Sequence, residues 1–475
     1  MMRKLRYFFG GRLFPCALLF VLSVLGICAI ALWLPRALAP VALAERIFSL
    51  VAALIIVCSR EQPEFKLPKV VLIVFLPWTG AILALCWRRK SPLKTKFSAH
   101  AETDVGIRGR MQSISEHLCD LKPCLARTVE YFPVGREMYE RMLPDISNAK
   151  KMIWLEYYIV AHGAFFHALS PLLERKAKEG LDVRILYDDF GCAFTLPKHF
   201  EREQAKLGVK AYALRRIRFP SRATNRRNHR KIAVIDGEIA YTGGINLADE
   251  YIGETIRFGH WKDTAVRVTG APAAEFAKLI AEEMKGCKVP EITENEGEIP
   301  CAVIADRAAD SMHRAGLSAL CSLVSAAEDY VYLNTPYLAP DAGLIAALSS
   351  AAIAGKDVRI MIPHIPDKKM TFEITRSYAR ELIDSGVQIR EYTAGFLHAK
   401  SVVADGKHCF VSTYNLDFRS LYLQAECGLY AEDENLAETL KRDFLSAWEA
   451  GTPVKNASPF EHGLSALLRL FAPLI

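Results

Sequence analysis

A short pattern, repeated once, limits what this chain can fold into. "HRKIAVID" carries His229, Lys231 and Asp236, and "HAKSVVAD" carries His398, Lys400 and Asp405. The offset is 169 residues, and Asn246 and Asn415 keep it as well. The likeness continues upstream, where "GLDVRILYDD" at 180 matches "GKDVRIMIPH" at 355. Each reads as a helix ending in Gly, then an Asp, then a buried strand. "IWLEYYI" at 153 and "YVYLNTPYL" at 330 read as earlier strands, and "FHALSPLLERKAKEG" and "GLIAALSSAAIAGK" as amphipathic helices between strands. The alternation predicts α/β layers with a mixed or parallel sheet in each half. At 475 residues the chain exceeds one ordinary domain. A duplication into two pseudo-symmetric lobes, 131–290 and 296–475, accounts for the length.

One HxKxxxxD alone reads as a strand end with a charged cap. Two copies at one offset, each followed by a small pair and an Asn ("GGIN", "STYN"), point to chemistry instead. On a strand, residues i and i+2 share a face, so each half offers an imidazole beside an ammonium. Brought together, two of each suit a phosphodiester. Lys231 and Lys400, helped by Asn246 and Asn415, would hold the anionic oxygens and stabilise the transition state. One histidine would attack phosphorus while the other moves protons to and from the leaving and incoming oxygens. The lysines supply the positive charge, so no metal or cofactor is expected. Asp236 and Asp405 complete the catalytic motif, although each precedes a Gly and suits a turn-closing role.

The first ninety residues differ from the rest. Leu13 to Leu34 and Val70 to Trp87 are uncharged, and the apolar stretch 37–58 is interrupted only by Glu45 and Arg46. A bilayer crossing needs about 20 such residues. The first run is long and further apolar segments follow, which argues against a cleaved leader. Arg3, Lys4, Arg6 and Arg12 precede the runs, and Arg88, Arg89, Lys90, Lys94 and Lys96 follow them. Positive flanks prefer the cytoplasm, so two crossings are expected from three segments. The charged pair makes 37–58 one suspect for the segment that does not span. Residues 1–90 thus read as a multi-pass membrane anchor and 91–130 as a linker. The lobes would be cytoplasmic, and the scattered cysteines, none in a CxxC pair, fit that compartment.

The motifs resemble the HKD motifs of the phospholipase D superfamily, and the whole chain is similar to its bacterial cardiolipin synthases. The resemblance rests on "LEYYI", "NRRNHRKIAVIDGEIAYTGGINLADEYIG", "WKDTAVRVTG", "TPYLAPD", "HAKSVVADGKHCFVSTYNLDFRSLYLQAE" and "LLRLFAPLI". It implies two phospholipase D-like lobes, each a mixed sheet flanked by helices, after N-terminal transmembrane helices. It also implies a membrane transferase that joins two phosphatidylglycerols and releases glycerol. His229 is the expected nucleophile and His398 the acid/base, with the reverse allowed by symmetry. Glu426 and Asp263 are the carboxylates expected to orient them. Ser412-Thr413 and Gln424 depart from the family pattern without removing a group that the mechanism needs.

The net charge of +7 suits acidic partners without choosing among them. "RRIRFPSRATNRRNHRK", 215–231, holds eight Lys and Arg and reads as a patch for anionic headgroups rather than nucleic acid. The tail "GLSALLRLFAPLI" suits a bilayer interface. A lipid hydrolase, with water as acceptor, and a membrane-anchored nuclease are the alternatives.

Overall fold

The computed structural model describes residues 38–59, 61–86, 106–217, 226–284, 287, 296–307 and 314–474, with positions 21 and 25 standing alone before them. The strands of the first lobe are β1 (Cys124–Phe132), β2 (Met152–Tyr157), β3 (Asp182–Asp188), β4 (Lys210–Leu214), β5 (Lys231–Ile235), β6 (Ile239–Gly243), β7 (His260–Lys262) and β8 (Ala265–Gly270). The second lobe begins with β9 (Ile299–Asp306), β10 (Tyr330–Asn334), β11 (Leu338–Ala339), β12 (Asp357–Pro363), β13 (Gln388–Tyr392) and β14 (Gly395–Leu397). It continues with β15 (Ser401–Ala404), β16 (His408–Ser412), β17 (Leu416–Asp417), β18 (Glu426–Glu432) and β19 (Gly451–Pro453).

Fifteen of these strands form one continuous mixed sheet. From its centre outward the first lobe runs β1-β8-β6-β5-β2-β3-β4, and the second runs β9-β18-β16-β15-β10-β12-β13-β19. The two series correspond strand for strand, with β19 added at the outer edge. A pseudo-two-fold axis passes between β1 and β9, which pair antiparallel from Cys124 opposite Cys301 to Ala126 opposite Ile299. The lobes therefore share a sheet as well as a cleft.

The parallel portions, β2-β3-β4 and β10-β12-β13, are where helices cross over. The helices Ala164–Lys178 and Ala342–Ile353 are each followed by a glycine with positive φ, Gly180 (93°) and Gly355 (89°). That left-handed backbone costs glycine little and turns the chain back into a strand. The motif strands β5 and β15 are buried along their whole length. Ile232 and Val234 belong to the core that holds Phe276, and Ala233 and Ile235 to the one that holds Met138 and Phe165. Burial on both faces explains their unbroken apolar runs.

Residues 107–130, expected in the linker, are folded. The helix Ile107–Ile114 and a π turn, Ser115–Cys119, lead into β1. Ile107, Met111 and Ile114 enter the main core, at a spacing that suits one helical face.

Near the N-terminus, Leu38–Val57 is one helix of 20 residues, and among the described residues it alone is long and apolar enough to cross a membrane. The stretch 37–58, suspected for its charged pair, thus has spanning length. The stretch 70–87 is divided between Pro63–Phe75 and Pro77–Cys86, because Pro77 has no N–H with which to continue the first helix. The run 13–34 and the basic flank at 88–96 lie outside the described residues, apart from positions 21 and 25. The helix Pro63–Phe75 docks on the second lobe. Phe65 packs edge-on against Phe418 and Tyr422, and Gln62 Nε2 donates to the Tyr422 hydroxyl at 3.0 Å.

Candidate active site

The active-site geometry is decided by two short parallel pairings between the lobes. β7 of the first lobe pairs with β14 of the second, and the His398 N–H donates to the Lys262 carbonyl at 2.7 Å. On the other side Asn228 bridges Ala425, and the His229 N–H donates to the Ala425 carbonyl at 2.9 Å. The segment entering each histidine thus runs beside the segment entering the other lobe's carboxylate. His229 Nδ1 lies 3.0 Å from both oxygens of Glu426, and His398 Nδ1 lies 2.6 Å from Asp263 Oδ2. Both histidines are oriented across the lobe boundary. With Nδ1 engaged, Nε2 is the nitrogen left for substrate.

Each lysine reaches back toward its own histidine. Lys231 Nζ donates to the His229 carbonyl at 2.6 Å, and Lys400 Nζ does the same to His398. Arg230, between His229 and Lys231, turns to the other side and donates to the Asp306 carbonyl at 2.9 Å. The i, i+2 reasoning therefore describes the real arrangement.

Burial sets the charge states. It lowers His229 well below the usual imidazole range, and the Lys231 and Lys400 charges push the same way. Burial also takes His398 down to about 4, while neighbouring Asp263 opposes the shift. Lys231 falls to about 8 and Lys400 to about 7, again chiefly through burial. Burial thus favours the neutral imidazole that a nitrogen nucleophile requires, whereas an anionic phosphodiester bound beside the second histidine favours the protonated form that a general acid requires. Glu426 is pushed up to about 7 by burial, against Lys231 and the Ser420 and Thr413 hydroxyls that favour its charged form.

The histidines open into one cavity of about 580 Å³, within the range of ligand sites. Its walls are rich in rings: Tyr158 lies 4.9 Å from the His229 ring, and Tyr251 and Trp261 each lie 5.5 Å from that of His398. Asn246 and Asn415 line it too, but they differ. Asn246 Oδ1 accepts from the Ile159 N–H at 3.0 Å and its Nδ2 donates to the Tyr251 hydroxyl at 2.6 Å, so most of its amide is committed. Asn415 Oδ1 is buried and has no partner among the described residues.

Asp236 and Asp405 stand apart from this cavity. Asp236 sits at the far end of β5, about 17 Å along the strand from Lys231. It accepts from the N–H groups of Lys150, Lys151 and Met152. Asp405 accepts from those of Glu328, Asp329 and Tyr330. Both have positive φ, 56° and 50°. They tie the turn after each motif strand to the start of a neighbouring strand, the turn-closing role that an Asp before a Gly suits.

Thr413 does not narrow the pocket; its hydroxyl turns to Glu426 and also accepts from the Cys427 N–H at 3.0 Å. Gln424, with its amide set by its neighbours, donates to Glu426 Oε1 and accepts from Arg419 Nε, both at 3.1 Å. Motif reading missed Arg419, Ser420 and the ring walls. "LDFRS" beside the second motif was the only local signal for the first two.

The basic stretch is also different from its expectation. Arg227 and Arg230 are buried, and Arg215 and Arg216 pair with Glu283 and Glu201. Positions 218–225 lie outside the described residues.

Comparison with known proteins agrees with this geometry. The family model described as cardiolipin synthase, PLD-like domain, matches residues 142–288 and 320–448. A cardiolipin synthase from Listeria welshimeri is 37% identical over 434 residues, covering 83% of this chain and 89% of its own. One from Listeria monocytogenes is 36% identical over 327 residues, covering 67% of this chain and 68% of its own. Among solved structures, a phosphatidylserine synthase from Haemophilus influenzae shares the fold, with a TM-score of 0.59 over 77% of this chain and 98% of its own, at 15% identity. By its doubled fold, its site and its relatives, the chain belongs to the cardiolipin synthase family of phospholipase D-like proteins.

Proposed function

We propose that this chain makes cardiolipin from two phosphatidylglycerols through a covalent phosphohistidine. Nε2 of one histidine attacks the donor phosphorus; a P–N bond forms and the P–O bond to the headgroup glycerol breaks. The other histidine, protonated at Nε2 from solvent once the anionic phosphodiester lies beside it, gives that oxygen the proton, and free glycerol leaves. The acceptor's primary hydroxyl then attacks phosphorus, returns its proton to the same histidine and breaks the P–N bond. No redox partner is needed, and atoms balance as two phosphatidylglycerols to one cardiolipin and one glycerol. Lys231 and Lys400 neutralise the equatorial oxygens in a buried site, where fixed charge contributes most. The observation that carries this reading is the cross-lobe pairing, which brings two carboxylate-held histidines and two lysines to one cavity.

Membrane attachment belongs to the same proposal. The helix Leu38–Val57 has the length and composition to span, and the helix after it packs on Phe418 and Tyr422 beside the site. The C-terminal helix Pro459–Arg469 leaves Phe460, Leu464 and Leu467 exposed, and the turn that follows it brings Ala472 to the cavity wall. A lipid could pass from an apolar surface to the site along this path.

The test is turnover by the full-length protein in mixed micelles with phosphatidylglycerol as the only lipid and chelator present. Cardiolipin and glycerol are the expected products. Phosphatidic acid alone would replace the transferase with a hydrolase. Cleavage of single-stranded DNA without lipid turnover would favour the nuclease.

A further inference from the structure

The two-fold relation that pairs the histidines breaks down along the cavity wall. At the motif offset, Arg419 of the second lobe corresponds to Glu250 of the first, and both line the cavity. At this pair of equivalent positions the second lobe places a cation where the first places an anion. Arg419 is half-buried at the start of the helix Phe418–Leu423, and its Nε is held by the Gln424 oxygen at 3.1 Å. Gln424 is fixed in turn by Glu426, so the guanidinium is positioned by the carboxylate that orients His229. Among the described residues no carboxylate lies within ion-pair distance of Arg419. Asp417 is nearby on the same wall, with Oδ1 engaged by the Ser420 N–H at 2.7 Å. Lys368, another wall cation, stands 3.8 Å from Asp367 and is mostly exposed. Arg419 thus offers its two Nη groups, in a planar fork, to an anion in the cavity.

The donor phosphate already has two lysines. A single phosphoglycerol headgroup would also leave much of a cavity of about 580 Å³ empty. We infer that Arg419 binds a second phosphodiester, the phosphate of the acceptor lipid, and so selects an anionic phosphoglyceride over water or a neutral alcohol. The inference rests on the transferase reading above and assigns it an acceptor subsite. The first-lobe wall holds Glu250 together with Arg257, which lies over the Phe258 ring at 5.3 Å; the Glu250 carboxylate accepts hydroxyl donors, which suits the uncharged glycerol that leaves.

Glycerol exchange separates acceptor from donor. With phosphatidylglycerol and labelled glycerol together, the same phosphohistidine partitions between cardiolipin and labelled phosphatidylglycerol, and only the first product needs a second phosphate. In Arg419→Gln the ratio of cardiolipin to labelled phosphatidylglycerol should fall at least ten-fold. Arg419→Lys, which keeps charge without the fork, should recover part of it. An unchanged ratio, a parallel loss of both products, or no product from Arg419→Gln would overturn the acceptor subsite. If the wild type itself exchanges glycerol but forms no cardiolipin, or does neither, the transferase reading fails instead.

Discussion

The two histidines do related work in unlike surroundings. His229 faces a glutamate that also receives the Thr413 and Ser420 hydroxyls and the Gln424 amide. His398 faces an aspartate whose other oxygen accepts from the Thr264 N–H at 2.8 Å, and aromatic rings of Tyr251, Trp261 and Phe396 surround the imidazole. Where the second lobe has Thr413, the first has Gly244, and a Cβ there would stand 2.0 Å from Asp263 Oδ1. One half aims its carboxylate with hydroxyl donors; the other lets a shorter carboxylate pack against bare backbone. The reacting groups are duplicated, while the means of aiming them are not.

The most damaging way to break this comparison is to remove either imidazole. His229→Ala and His398→Ala should each lower cardiolipin formation by about 10⁴-fold, and the double variant should be little worse, because the residues act as a unit. Rapid quench into alkali, in which the P–N bond survives, sharpens the result. With His229 as nucleophile, labelled phosphoprotein persists in His398→Ala and is absent from His229→Ala; the opposite pattern exchanges the roles.

Next in size are changes to the aiming groups. Gly244→Ala forces Asp263 aside and should reduce kcat about 10²-fold. Thr413→Val removes one hydroxyl from a charged acceptor, worth about 1.5–3 kcal/mol, and should cost about ten-fold. Equal losses in steady-state assays would show that the two halves are aimed alike after all.

A smaller effect comes from pH. Lys400 at about 7 and Lys231 at about 8 both lie below the ordinary lysine value because they are buried. Their charge is present at low pH and is lost as pH rises through that window. kcat/KM in uncharged micelles should therefore fall as pH rises from about 7 through about 8. kcat should change less, since a bound phosphodiester restores the charge. A flat kcat/KM profile to pH 9 would contradict this picture.

The smallest effect on catalysis belongs to Asp236→Asn and Asp405→Asn. Each weakens bonds from three backbone N–H groups and should lower stability by about 1–3 kcal/mol. A drop in Tm with activity at 25 °C kept within two-fold is the expected outcome. A large loss of kcat without a loss of Tm would return the aspartates to the catalytic set.

The features legible in the sequence were those set by local periodicity. His and Lys at i and i+2, the Gly-Asp entry to β3 and β12, and the alternation of strands and helices all follow from backbone geometry. Glu426 and Asp263 were legible by type and position, but their exchange between lobes was not, since it depends on strand pairing at great sequence distance. Arg227 and Arg230 looked like surface charge because composition does not reveal a buried aspartate or carbonyl waiting for them. The folded stretch from Ile107 was visible in the spacing of Ile107, Met111 and Ile114, although polar neighbours made it resemble a linker. Arg419 and Glu250 lay outside the motifs, where offset alone assigns no role.

The exchanged carboxylates also bear on ancestry. A primitive gene encoding one half would have produced a histidine with no carboxylate of its own to hold it. Two such products would have had to meet along the edges that became β1 and β9, each completing its twin. Fusion of two such genes would remove that dependence on concentration. It would also end the requirement that both copies stay identical, which would leave Glu426 and Asp263, and the walls beside them, free to diverge.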